Sequence, residues 1–442
     1  MEYKEAVDYL LNIPKFAGKT SHDNLREFLE RLGNPQNQVP AVHVAGTNGK
    51  GSTCAFLASI LEQAGYQVGL FTSPHLIIIN ERFQMNGKPI DNETFLRMFQ
   101  QVKKVVDIGV REGQSHPNFF EFLFLMAVCW YREMAVDIVI YETGLGGRLD
   151  ATNVLQPCLT ILTSIGMDHM QYLGDTLEQI AREKAGILKP ETPCIYLRQK
   201  DCSAEVIEQR ARELRVPLIP VEKDKITIDE IGEQTIDFSY QNRYDIEYNQ
   251  GGSKYQMAKT ALYQLENAAL AIEAGYFLLT EDYSQNRGTS EIPAFVHNGI
   301  RAMYWRGRME ELEPGIYVDG AHNEPAIQAF CDTLVNIYRD KKIVLLFAVA
   351  SDKRYNEMIR LLCENIDYEK IIVTAIEGTR ATPIQEVAEE FRKYVDCPIQ
   401  TESDSEQALE LARTCVNSQV RVFCVGSLYL VGSLEAGKEE ES

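Results

Sequence analysis

The chain has 442 residues, more than one ordinary core accommodates, so two or three domains are expected. Hydrophobic residues make up 45% and charged residues 24%, the balance of a soluble globular protein. A net charge of −20 argues against nucleic acid or an anionic membrane surface as a partner.

The opening stretch, 1-MEYKEAVDYLLNIPKF-16, mixes acidic with apolar residues and lacks the apolar core of a secretory signal. Val42–Ala45 follow Pro40, are apolar or β-compatible, and read as a short buried strand. From Ser52 the pattern Ala55, Phe56, Leu57, Ile60, Leu61, Ala64 has helical spacing, and Gly65 stops it. Between strand and helix lies 46-GTNGKGS-52. Backbone N–H groups and the positive end of a helix can face an anion at such a turn. Gly46, Gly49 and Gly51 allow positive φ and close approach, and Lys50 adds a mobile positive charge. The usual phosphate loop is spelled G-x-x-x-x-G-K-[ST]. Here Val44 stands where the first glycine belongs, and the hydroxyls Ser52 and Thr53 come one step late, after Gly51. The order of strand, glycines, lysine, hydroxyls and helix is the one phosphate binding requires. The alternative is a flexible turn with a solvated lysine.

Val68–Phe71 form the next strand, and 72-TSPHLIIINERFQMNG-87 follows it, placing Ser73, His75 and Arg82 where substrate contact is expected. A helix is predicted over Asn92–Val106. The apolar stretch 119-FFEFLFLMAVCWY-131 is interrupted by Glu121 and too short to span a bilayer, so it reads as a buried helix. The strand Ile138–Tyr141 delivers Glu142 at its carboxyl end, where a magnesium site is expected in an open α/β sheet. A surface glutamate starting a turn is the alternative, but Gly144, Gly146 and Gly147 imply closely packed backbone. The strand Leu159–Leu162 leads to 163-TSIGMDHMQYLGDT-176. Its His169 falls just past a strand end and reads equally as a ligand or a structural residue. Lys184 lies near the end of the predicted helix Leu177–Gly186, and spacing alone makes it an exposed lysine favouring the helix carboxyl terminus. After the strand Cys194–Leu197, residues 224–257 alternate like a small antiparallel ribbon, and a helix, Lys259–Leu278, follows.

The segment 281-EDYSQNRGTSEIP-293 reads as a loop before a second α/β alternation, with the boundary near residue 300. Its strands are Ile316–Val318, Ile343–Ala348, Ile371–Thr374 and Val420–Val425, with helices near Pro325–Tyr338, Tyr355–Cys363 and Glu386–Tyr394. In 305-WRGRMEELEPGIYVDGAHNEP-325, Arg306 or Arg308 can clamp phosphate, and Asp319 after a strand can accept from ribose hydroxyls, with His322 next. The tail 435-EAGKEEES-442 reads as a solvated, disordered end. Ten scattered cysteines, without a C-x-x-C pair or metal-ligand spacing, suit a reducing compartment. The expected class is α/β: a larger domain over 1–300 with a phosphate loop, a mostly parallel sheet and the ribbon, and a smaller Rossmann-like domain over 301–442.

Taken together these pieces resemble the Mur ligase superfamily, and within it the folylpolyglutamate synthases, which often combine dihydrofolate synthase activity. The resemblance covers nearly the whole chain. It rests on 46-GTNGKGS-52, 73-SPHL-76, 142-ETGLGGRLDATN-153, 168-DH-169, 182-REKAGI-187, 305-WRGRME-310, 319-DGAHN-323 and 426-GSLYLVG-432. It implies that Gly46, Thr47, Asn48, Gly49, Lys50, Gly51 and Ser52 cradle ATP phosphates. It implies metal positions at Ser52, Ser73, Glu142 and His169, for magnesium ions, two of them by expectation. Lys184 matches a lysine carbamylated in this family, which would make it a metal ligand. Asn267, Arg308, Asp319 and His322 match nucleotide contacts, and His75, Arg82 and Asp150 are expected at the substrate. Arg306 departs from the pattern, since many relatives have proline there.

The implied reaction is ATP-dependent amide formation between a reduced folate, or dihydropteroate, and L-glutamate, through an acyl phosphate. Lys50, Arg308 and magnesium would make the site locally positive inside an acidic protein. A cytoplasmic monomer is expected. Two rivals stand beside this reading. A peptidoglycan-precursor ligase is expected to carry a separate amino-terminal domain, and only 45 residues precede Gly46. An ATPase driving conformational change would hydrolyse ATP without folate or glutamate.

Overall fold

In the computed structural model, which describes residues 1–14, 22–232, 234–247, 252–258, 260–280, 291–376 and 382–441, the chain forms two compact units. The first comprises Met1–Glu230, Asp237–Met257 and Glu266–Met303; the second comprises Ile231–Ile236, Ala258–Leu265 and Tyr304–Ser442.

The first unit is built on strands β1 (Ala41–Ala45), β2 (Val68–Phe71), β3 (Phe83–Met85), β4 (Lys88–Pro89), β5 (Ile138–Glu142), β6 (Leu159–Leu162), β7 (Cys194–Leu197) and β8 (Leu218–Val221). They lie in the order β4-β3-β2-β5-β1-β6-β7-β8. The run from β2 to β8 is parallel, and β3 and β4 add an antiparallel edge. Every residue of β1, β5 and β6 is buried, which is why these strands read as nearly continuous apolar runs. Val44 pairs with Glu142 and Ala45 with Leu162, so the carboxyl ends of β5, β1 and β6 finish side by side.

The helix Phe119–Glu133 is buried along most of its length, as its composition demands. Glu121 does not weaken it. Asn118 caps the helix by accepting from Glu121 N, and the Glu121 carboxylate accepts from Asn118 N in return. The ribbon has three strands, β9 (Ile226–Ile231), β10 (Thr235–Tyr240) and β11 (Ser253–Ala258), in the order β11-β10-β9. A short helix, Arg243–Glu247, separates the last two.

The second unit holds β12 (Arg308–Glu313), β13 (Ile316–Asp319), β14 (Lys342–Phe347), β15 (Tyr368–Val373), β16 (Ile399–Thr401) and β17 (Val420–Val425), ordered β12-β13-β17-β14-β15-β16. Only β12 is antiparallel to its neighbour. The chain builds β14, β15 and β16 in one direction, then returns to the other side of β14 as β17. In sheets of this kind, ligands usually bind at the strand ends beside such a reversal.

Four expectations change. The tail is helical: the helix Leu428–Glu441 continues through it and buries Glu435, because Leu430, Val431 and Leu434 give it an apolar side. Gly51 is not a positive-φ position; the helix begins at Lys50, two residues earlier than expected, and only Gly46 and Gly49 of the loop have positive φ. The polar segment before the second unit lies outside the described residues over 281–290, and its end, from Ile292, starts the helix Ile292–Ala302. Lys259, expected in a helix, also lies outside them; the helix runs Gln264–Thr280.

Candidate active site

The turn after β1 has the form a phosphate loop needs. Gly46 and Gly49 take φ of 156° and 85°, and Gly49 caps the helix Lys50–Gln63. A Cβ on Gly49 would come 2.1 Å from Asn267 Oδ1, so Asn267 packs directly on the loop. Lys50 Nζ donates to Gly46 O at 3.2 Å and to Thr47 O at 3.1 Å. Ser52 is buried, and its Oγ has no hydrogen-bond partner among the described residues.

Glu142 closes β5, is buried, and accepts from Ser73 N at 3.0 Å. Thr143 Oγ1 beside it is likewise buried and unpartnered among the described residues. His169 sits at φ 50° ahead of the short helix Met170–Leu173 and is partly exposed, with Nε2 3.8 Å from Asp168 Oδ2. Lys184 overturns the reading from spacing. It is 4% exposed, and its Nζ donates to Gly46 O at 2.6 Å. Burial first, and the nearby Lys50 charge second, bring its pKa down to about 7. Asp168 and Asp150 act on it in the opposite sense.

Lys184 is held there by an interlock that the sequence reading missed. Arg148 N donates to Glu183 O, and the Arg148 guanidinium pairs with the Glu183 carboxylate at 2.9 Å. A Cβ on Gly147 would meet Glu183 O at 2.8 Å, and one on Gly186 would meet Arg148 Cβ at 2.4 Å. Asn153 Nδ2 bridges Arg148 O and Gly186 O, and Lys189 Nζ donates to Asn153 O and Oδ1. The glycines of both segments were the available signal.

Arg82 is buried, lies 5.4 Å from the Phe119 ring centroid, and donates from Nε to His75 Nδ1 at 2.8 Å. His75 is therefore neutral with its proton on Nε2. Asp150 is turned into its own loop: Oδ2 accepts from Leu145 N, and Oδ1 from Thr152 N and Oγ1. Burial raises its pKa.

In the second unit, Arg308 and Asp319 are register partners of β12 and β13. A Cβ on Gly320 would come 2.2 Å from Arg308 Nη1. The buried Asp319 accepts from Tyr263 OH at 2.6 Å, Met309 N at 2.9 Å and Ala321 N at 2.8 Å. His322 Nδ1 is 2.7 Å from Gly320 O. Tyr263, one turn before Asn267, was missed. Arg306 pairs with the buried Glu435 at 2.6 Å.

Residues 44–275 match the Mur ligase middle domain, and residues 307–428 match the Mur ligase glutamate ligase domain. The dihydrofolate synthase/folylpolyglutamate synthase of Bacillus subtilis is 33% identical over 98% of both chains. The chain belongs to the Mur ligase family. Among its Mur ligase relatives is also the folylpolyglutamate synthase of Lacticaseibacillus casei, 30% identical over 87% of this chain and 88% of that one. The crystal structure of folylpolyglutamate synthase from Thermotoga maritima superposes with a TM-score of 0.83 at 26% identity, covering 100% of this chain and 97% of that one. The structure of E. coli FolC in complex with DHPP and ADP also gives 0.83, at 25% identity, covering 100% and 99%. A mostly parallel α/β architecture with two α/β units is thus that of the Mur ligases.

Magnesium, implied by this family, finds fitting donors here. Among the described residues no three His, Cys, Asp or Glu side chains cluster as a metal site. The Ser52 hydroxyl, unpartnered though buried, and the buried Glu142 carboxylate are hard oxygen donors of the kind magnesium prefers.

Proposed function

We propose that this Mur ligase joins L-glutamate to the carboxylate of a reduced folate at the expense of ATP, through an acyl phosphate. The observation that carries the reading is the 33% identity, over 98% of both chains, to a dihydrofolate synthase/folylpolyglutamate synthase, on a chain whose phosphate loop, Glu142 and Lys184 fold together.

In this reading the N–H groups of Gly49, Lys50, Gly51 and Ser52 receive the ATP phosphates. Lys50 leaves the Gly46 and Thr47 carbonyls to meet the transferred phosphoryl group, where it offsets gathering charge. Asn267, packed on Gly49, borders the same phosphates. Arg308, Asp319 and His322 serve the nucleotide, Arg308 through phosphate and Asp319 through ribose. The three donors already on Asp319 give it a second task, fixing the turn that presents His322. Ser52, Ser73, Glu142 and His169 would hold magnesium, which when bound neutralises phosphate charge. Lys184 joins them as a carbamate. Its amine, whose pKa burial brings down to about 7, is in part neutral at that pH; the neutral form adds to carbon dioxide and releases one proton, and the product is an anionic oxygen donor. His75 Nε2–H and Arg82 face the folate side, ordered by their mutual hydrogen bond. The glutamate amine then attacks the acyl phosphate carbon and phosphate leaves.

Dihydropteroate is the second carboxylate we assign to this site. We take the enzyme to work as a monomer in the cytoplasm; the ten free cysteines support the reducing compartment. No helix among the described residues is long and apolar enough to cross a membrane. The test is ADP release with Mg-ATP and L-glutamate, with dihydropteroate in one tube and a reduced folate monoglutamate in the other. Release with both supports the full reading, and release with folate alone removes the dihydropteroate activity. ATP hydrolysis that ignores both substrates would overturn ligation in favour of an ATPase.

A further inference from the structure

The loop 46–52 does not hold its shape alone. The chain leaving β6, residues 163–166, runs along its edge. Thr163 N donates to Ala45 O at 2.9 Å and Thr47 N donates to Ser164 O at 2.7 Å. Asn48 and Ser164 form an isolated antiparallel bridge. Thr47 Oγ1 donates to Gly166 O and accepts from Gly166 N, each at 3.0 Å. On its other side the same segment is gripped by Gln199, whose Nε2 donates to Ile165 O at 3.0 Å and whose Oε1 accepts from Ile165 N. The segment is thus a fixed splint for the loop.

Thr163 is its key member. It is fully buried. Its hydroxyl fills the space a Cβ on Gly46 would need, 1.8 Å away, and donates to Asn48 O at 2.7 Å. Ser164 Oγ reaches the same carbonyl at 3.2 Å. A phosphate loop works by presenting N–H groups to the anion, and a carbonyl turned the same way would repel it. Asn48 is the last residue before Gly49 caps the helix, so its carbonyl lies next to the N–H groups that matter.

We infer that Thr163 is a positioning residue for nucleotide binding: its hydroxyl, seated over Gly46, ties back the Asn48 carbonyl and sets the loop for phosphate. The inference rests on reading 46–52 as the phosphate loop. It also gives Gly46 a physical reason, since any side chain there would displace the hydroxyl.

Thr163→Ser and Thr163→Ala both lose the methyl group and differ only in the hydroxyl. In the full-length protein, titration calorimetry with Mg-ADP and steady-state kinetics separate them. The Ala variant should bind ADP on the order of tenfold more weakly than the Ser variant, the worth of one buried hydrogen bond. Its KM for ATP should rise in step, while its KM for folate stays within about twofold. Equal ADP affinity in the two variants, or a parallel rise in both KM values, overturns the inference. Should Thr163→Ala not fold, Thr163→Val, which keeps the branched shape, replaces it in comparison with wild type. A wild-type protein that binds no ADP removes the loop reading and this inference with it. One that binds ADP but ligates nothing removes only the proposed activity, and the Ser and Ala comparison still decides.

Discussion

At the scale of single residues the site turns on two lysines that share one carbonyl. Both Lys50 and Lys184 donate to Gly46 O, and only Lys184 is deeply buried. Lys50→Ala should lower ligation by about a hundredfold or more, as removal of one charge-stabilising donor does elsewhere, while the folate KM stays near normal. Near-normal turnover would take the loop out of the site. Lys184 has the less familiar consequence. Its pKa falls from 10.5 unfolded to about 7 folded, so between those values the unfolded chain binds more protons. Stability therefore rises with pH through that window, and the buried ammonium weighs most below pH 7. Lys184→Met should raise Tm at pH 6 in bicarbonate-free buffer, and the gain should shrink towards pH 10. It should also abolish most activity. A variant less stable than wild type at pH 6 would mean the ammonium is better served than its burial implies. Lys184→Ala in turn should recover part of its activity when short carboxylic acids are added, if a carbamate is the working form. Lys184 was misread from spacing alone because helical position does not tell which neighbours close over a side chain. Asp150 shows the converse: its motif is plain in the sequence, but its inward turn depends on Leu145 and Thr152 N–H groups that no pattern displays.

At the scale of elements, the helix Leu428–Glu441 carries a titrating anchor. Arg306 meets Glu435, whose carboxyl is pushed up to about 7, first by burial and then by the charge of Glu310. A carboxyl whose folded pKa lies above its unfolded value of 4.5 favours the fold below 4.5, and that contribution is lost as pH rises through 7. Glu435→Gln should thus leave stability unchanged near pH 4.5 and raise it at pH 8, read as denaturant midpoints at the two pH values. An equal effect at both would remove the titration from the account. This pair also answers for the departure at Arg306: the arginine is spent on Glu435. Elsewhere, the ease of reading followed burial. β1, β5, β6 and β17 lie inside their sheets, so their sequences are nearly continuous apolar runs, and their ends were placed within a residue or so. The strands β3, β4 and β16, at or next to a sheet edge, are two or three residues long and exposed or half-buried in part, too short to show a period. The tail reads as disordered because 435–442 is charged and nearly free of apolar residues; the ones that seat its helix, Leu430, Val431 and Leu434, come before it.

For the whole molecule, the net charge of −20 opposes the approach of an anionic nucleotide, even though the proposed function gives Lys50 the task of meeting its phosphates. The two effects differ in range. At ionic strength near 0.1 M the Debye length is about 10 Å, so distant acidic residues are screened while cations in contact with phosphate are screened far less. Added salt should therefore remove the repulsion before it weakens the binding contacts. Raising KCl from about 10 to 150 mM should speed Mg-ATP association and lower its KM, the reverse of what a basic nucleotide-binding surface shows. Stopped-flow association at several salt concentrations measures this directly. A rate that falls with salt would mean that the field at the mouth of the site is already positive at long range. The acidic exterior would then be irrelevant to substrate capture and would serve solubility alone.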